Sequence, residues 1–110
     1  MRPFTLPAIT LAKIAQTCSA TSTTSEKELA AISVSGASHS DSQVQPGDLF
    51  IAMPGANRHG AEFIISAKRN GAIAALTDLA GANQITELVP GFPVLVVTNP
   101  RLIAGRIAAL

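Results

Sequence analysis

The stretch PGDLFIAMPGANRHGAEFIISAKRNGAIAALTD, residues 46–78, holds a strand, a loop, a helix and a second strand in that order, and its reading decides the fold. Pro46-Gly47 presets φ and then frees it, the requirement of a type II turn, so DLFIAM at 48–53 begins a strand that Pro54 ends. From Ala61 the apolar Phe63, Ile64 and Ala67 fall on one helical face, opposite Glu62, Lys68 and Arg69, until Asn70-Gly71 stops the helix. AIAALT at 72–77 is then a continuous apolar strand. Between the first strand and the helix, Gly55 and Gly60 bracket four residues in the manner of a phosphate-cradling loop. A Walker-type loop needs Lys and then Ser or Thr after its second glycine, and Ala61 and Glu62 stand there instead. That excludes the ATP-hydrolysing form. It leaves a loop able to present backbone N–H groups to an anion or a ring.

Working outward, Leu11, Ile14, Ala15 and Cys18 recur at helical spacing and predict a first helix over 8–18, with Thr5 or Thr10 near its start. SATSTTSE is a small-residue polar linker in which Ser25 and Glu28 have capping-box spacing. A half-buried strand is expected at 32–35, ending at Gly36, with loop from 37 to 45. A shorter helix is expected over 80–88, and FPVLVV at 92–97 is the most β-branched run, with Pro93 near its start. Asn99 as N-cap and Pro100 at the first helical position open a last helix bearing Leu102, Ile103, Ile107 and Leu110. No stop signal follows, so the 110 residues are expected to be one domain cut from something longer. Helices alternating with apolar strands define an α/β domain, and ligands of such sheets bind where the strand-end loops gather.

Composition narrows the function. With 47% hydrophobic and 14% charged residues the chain is globular, and its net charge of +1 without a basic stripe argues against nucleic acid or an anionic membrane surface. No run approaches the ~20 apolar residues of a membrane span, and Pro7 and Lys13 interrupt the run an export signal would need. A lone cysteine, Cys18, forms no disulfide within the chain, is expected to be buried and inert, and fits the cytoplasm. Ser38, His39 and Asp41 include the residue types of a nucleophilic triad but lie too close along one loop to converge in a relay. His39, His59 and Asp41 lack metal-ligand spacing, so no metal site and no catalytic set are expected. Lys68 and Arg69 read as the solvated face of their helix.

VSGASHSDSQVQPGDLFIAMPGANRHGAEFIISAKRNGAIAALTD, residues 34–78, resembles the N-terminal domain of the Mur ligases, most closely the MurE type. PGDLFIAMPG, the HG pair with EFI after it, and NGAIAALTD carry the likeness. The resemblance implies a small mixed sheet of four to five strands flanked by helices. It also implies that the domain holds the UDP end of UDP-N-acetylmuramoyl-L-alanyl-D-glutamate for a ligase that adds the third amino acid of the peptidoglycan stem peptide. ATP and magnesium would belong to a central domain of the parent, the incoming amino acid to a C-terminal one, and no cofactor to this chain. The family's first nucleotide loop reads Asp-Ser-Arg with Ser six positions before the Gly of PGD; here that position is Asp41, between Ser40 and Ser42, a departure from the pattern. Two positions earlier, His39 would offer main-chain contacts. The second loop carries over to Ala56, Asn57 and Arg58, with Ser40, Ser42 and His59 as secondary candidates. An Asn amide suits a uracil edge and an Arg fork suits a diphosphate. The equivalent domain of a MurF-type ligase, and a stand-alone nucleotide- or protein-binding module, are the alternatives.

Overall fold

The computed structural model describes residues 4–22, 24–55 and 59–103. Five strands form one sheet in sequential order: β1 (Phe4–Thr10), β2 (Ser33–Ser38), β3 (Asp48–Ile51), β4 (Ala74–Thr77) and β5 (Val94–Val96). β1 runs antiparallel to β2, and β2 to β5 are mutually parallel, which is the mixed α/β sheet expected. The helices are α1 (Leu11–Cys18), α2 (Glu26–Ala31), α3 (Ile64–Arg69) and α4 (Leu79–Leu88), and a further helical stretch occupies 100–103.

Sequential strand order has a consequence for layering. Successive right-handed crossovers that advance in one direction place their helices on one face. α3 and α4 accordingly cover the face bearing Phe50, Ala52, Ala75 and Val94, together with Ala61, Ile64, Ala67 and Ile85. The other face, with Val34, Ala37, Leu49, Ile51, Ala74, Leu76 and Leu95, packs Leu11, Ile14 and Cys18 of α1, Leu29 of α2, and Ile103. Burial on both faces explains why β3 and β4 read as unbroken apolar runs rather than alternating ones.

Several boundaries differ from the sequence reading. The first helix starts at Leu11, not at residue 8, because Thr10 is extended and its hydroxyl caps the Lys13 N–H. Before it lies β1, a strand that its proline conceals: an edge strand tolerates a missing N–H, and between Thr5 and Ile9 β1 sets three residues against the single Ser35 of β2, a bulged stretch that holds Pro7. Ser25 does cap a helix, the short α2, by accepting from the Glu28 N–H. β2 does not stop at Gly36 but runs on to Ser38, since it is paired on both sides, to β1 and β3, and ladder bonds outweigh glycine's poor strand propensity. Residues 60–69 form a 3-10 turn (Gly60–Phe63) before α3, and Phe63 sits at the border of exposure. The last strand is shorter than FPVLVV, and its outer edge is closed by Thr21, which exchanges two backbone hydrogen bonds with Val96.

Pro46-Gly47 forms the expected turn: Gly47 has φ 89° and the Asp48 N–H donates to the Gln45 carbonyl. Asn99 caps as expected, its side-chain oxygen accepting from the Leu102 N–H. Ile107 and Leu110 lie outside the described residues.

Candidate functional site

Parallel pairing brings the carboxyl ends of four strands to one edge, with Ser38 opposite Phe50, Ile51 opposite Leu76 and Thr77 opposite Val96. The loops that leave this edge are therefore neighbours, as in other open α/β sheets. Loop 39–47 follows β2, and loop 52–59 follows β3. These are the two loops in which the sequence places the candidate residues.

The first loop is organised by its own serines. Ser38 is fully buried, and its hydroxyl donates to the Ser40 carbonyl (2.9 Å) and accepts from the Ser40 N–H (3.1 Å). That engagement removes it as a nucleophile. Ser40 and Ser42 pair through their hydroxyls at 3.0 Å across a 3-10 turn, Asp41–Gln43, and Asn70 donates its amide to the Asp41 carbonyl at 2.8 Å. The Asp41 backbone is thus tied to the far end of α3. His39 and Ser42 are exposed, while Ser40 and Asp41 are half-buried.

The second loop is framed by a narrow neck. Pro54 and His59 form an isolated antiparallel bridge, and the Gly60 N–H donates to the Met53 carbonyl at 2.8 Å. A Cβ on Gly60 would stand 3.0 Å from the Met53 nitrogen, so the close approach of the two sides requires glycine there. Arg101 donates to the Pro54 carbonyl at 3.2 Å, joining the neck to the 100–103 helix. Ala56, Asn57 and Arg58 lie outside the described residues.

His59 has both ring nitrogens occupied. Nδ1 accepts from the Ala61 N–H (2.9 Å), so the network assigns the ring proton to Nε2, which donates to Asp78 Oδ1 (2.8 Å). The same carboxylate oxygen accepts from the Gly81 N–H (2.8 Å) and caps α4. Gly81 leaves room for the ring: a Cβ there would meet Thr77 Oγ1 and would lie 2.6 Å from His59 Cε1. Asp78, Gly81 and Arg101 were not singled out by the sequence, and Asn70 was read only as part of the stop of its helix, not as a residue of the site. For Asp78 the signal was present, an Asp directly before a helix; for Arg101 no local signal exists, since its partner is 47 residues away.

The two loops share an edge, and no hydrogen bond among the described residues joins 38–43 to 54–60. An open cleft of about 470 Å³ lies on the same edge, lined by Asp78, Leu79, Thr98, Val97, Thr21 and Ser19. Among the described residues no group of three or more His, Cys, Asp or Glu is placed to hold a metal, and no helix is long and apolar enough to cross a membrane.

The domain is a three-layer α/β fold whose two candidate loops both leave the carboxyl edge of a parallel sheet, the place where ligands of open α/β sheets bind. A family model described as "Mur ligase family, catalytic domain" matches residues 33–108, well over half of the chain, and the chain belongs to the Mur ligase family. It is 47% identical over 76 residues to the UDP-N-acetylmuramoyl-L-alanyl-D-glutamate--2,6-diaminopimelate ligase of Streptomyces avermitilis, covering 69% of this chain and 15% of that protein. It is 37% identical over 82 residues to the UDP-N-acetylmuramyl-tripeptide synthetase of Leifsonia xyli, covering 74% of this chain and 16% of the relative. The chain thus spans about a sixth of the length of these curated relatives. In fold it is similar to MurF from Acinetobacter baumannii, with a TM-score of 0.69 at 17% identity over 93% of this chain and 20% of that one.

Proposed function

We propose that this chain anchors the UDP moiety of UDP-N-acetylmuramoyl-L-alanyl-D-glutamate for a MurE-type ligase of peptidoglycan synthesis. The observation that carries the reading is the adjacency of β2 and β3: the two loops bearing His39, Asp41 and residues 56–58 leave neighbouring parallel strands at one edge. The chain is read as a single N-terminal domain over 1–110 of a longer cytoplasmic enzyme, its remaining partners being the central and C-terminal domains of the same protein. ATP and magnesium find no fit in these residues, because Ala61 and Glu62 replace the Lys and Ser/Thr of an ATP loop. Their chemistry, activation of a carboxyl group for amide formation, would reside in the central domain. The likeness in fold to MurF keeps one further reading in view, the equivalent domain of the ligase that acts next. Assay of the full-length gene product with UDP-linked muramoyl dipeptide against the tripeptide separates the two.

Calorimetric titration of the chain with UDP, UMP and ADP tests the anchoring reading. UDP is expected to bind in the millimolar range, worth ~4 kcal/mol, because the other domains supply part of the grip on sugar and peptide. ADP is expected to bind more weakly. Equal affinity for ADP and UDP, or none for UDP at several millimolar, contradicts it.

Asp41 supplies a sharper prediction. A carboxylate at ~5 Å from a diphosphate is repelled by about 3 kcal/mol per charge pair at an effective dielectric of 20, before screening. Asp41→Ser is therefore expected to tighten UDP binding about threefold to tenfold at low salt, with the gain shrinking as salt rises. Ser42→Ala, which removes the hydroxyl partner of Ser40, is expected to weaken it. Weaker binding in Asp41→Ser would instead place the carboxylate on ribose hydroxyls.

A further inference from the structure

The His59 ring lies between two elements, and each of its nitrogens serves one of them. Through Nδ1 it caps the 3-10 turn that leads into α3, and through Nε2–H it reaches Asp78 at the first turn of α4. Its backbone meanwhile closes the neck of loop 52–59 by pairing with Pro54. The imidazole is half-buried and lies close against Gly81, where a Cβ would stand 2.6 Å from its Cε1 and displace it. Asp78 Oδ1 takes two donors at 2.8 Å, one from the ring and one from the Gly81 N–H, so a single oxygen atom links the ring to the start of α4. A hydrogen bond to a charged acceptor in a partly desolvated position is worth more than a neutral surface one.

We propose that His59 and Asp78 are a positioning pair for ligand binding at this edge. The ring fixes the exit of the β3 loop against α4, so that affinity depends on a side chain with no ring atom left to bond the ligand. The inference rests on the reading of this edge as the uridine-diphosphate site, and it assigns to His59 a role other than direct contact.

One substitution cuts the link while sparing the cap of α4. Asp78→Ser retains a good N-cap for α4, because serine caps as well as aspartate, but its hydroxyl is one bond shorter and does not reach His59. His59→Gln places an amide N–H near the position of Nε2 and keeps a donor for Asp78. His59→Ala removes both bonds. With the 110-residue chain titrated by UDP, and folding verified by circular dichroism and urea denaturation for each variant, Asp78→Ser and His59→Ala are each expected to weaken binding about tenfold, within the range of directly coupled neighbours. The double variant is expected to be no weaker than the worse single one, and His59→Gln to recover most of the loss. In the wild-type chain the imidazole nitrogen spectrum is expected to show the Nε2–H tautomer and to shift when UDP is added. Folded Asp78→Ser and His59→Ala chains that bind UDP within twofold of wild type overturn the proposal and leave the anchoring reading standing. A wild-type chain that binds no UDP overturns both.

Discussion

Phe50→Ala is expected to lower the stability of the chain by about 4 kcal/mol, in the upper part of the range for truncating a buried aromatic. Phe50 is 1% exposed and stands in the middle of β3 on the face covered by α3 and α4. Its companions there include Ala52, Ala61, Ala67 and Ala75, side chains too short to swing into the space a phenyl ring would vacate. A site that cannot collapse keeps its cavity, and the loss grows with the cavity that remains. A domain of this size has roughly 5–15 kcal/mol in total, so the variant should unfold at a much lower urea concentration with an unchanged slope. Phe63→Ala, on a ring that is 37% exposed, is expected to lose no more than about 1.5 kcal/mol. A Phe50→Ala loss that small would show that the α3/α4 face is not packed as described.

Gly71→Ala is the second large effect, expected at about 3 kcal/mol from left-handed backbone strain and overpacking together. Gly71 has φ 116°, and a Cβ built on it would lie 2.7 Å from the Pro46 nitrogen and 3.1 Å from the Gln45 carbonyl carbon. Both are backbone atoms of the turn that opens β3, and the Gly71 carbonyl accepts from the Gly47 N–H at 3.0 Å. The turn cannot retreat without giving up that bond. Gly91 is the matched control: its φ is 83°, yet a Cβ there would meet nothing within 4 Å. Gly91→Ala should lose only the strain term, about 1 kcal/mol. The difference between the two variants, read from urea midpoints, measures the close approach itself; equal losses would mean that no such contact exists.

Both predictions concern residues within 46–78, where the sequence was most legible. Each signal there was local: proline then glycine for the turn at 46–47, apolar runs for β3 and β4, Asn70-Gly71 for the end of α3. What escaped was set by distant pairing. β1 was hidden by Pro7 in an edge strand, and β2 was cut short at Gly36 because a single sequence does not show that strands on both sides would hold it. At the candidate site the two loops were legible through motif resemblance, but the atoms that frame them were not. The His59–Asp78 bond spans 19 residues and the Arg101–Pro54 bond spans 47, beyond the reach of any spacing rule. The reading of Asp41 at the family's serine position depended on counting back from Gly47, and the Asn70 bond to its carbonyl now gives that loop a second anchor.

Amide shift mapping of the 15N-labelled chain during titration with UDP bears most directly on the claim that the carboxyl edge between β2 and β3 holds a uridine diphosphate. Shifts are expected to cluster at residues 38–42 and 55–59, with smaller ones at Asp78 and Gly81 through His59, and to saturate in the millimolar range expected of a partial site. Shifts confined to α1, α2 or the amino-terminal ends of the strands would place the ligand elsewhere and contradict the account.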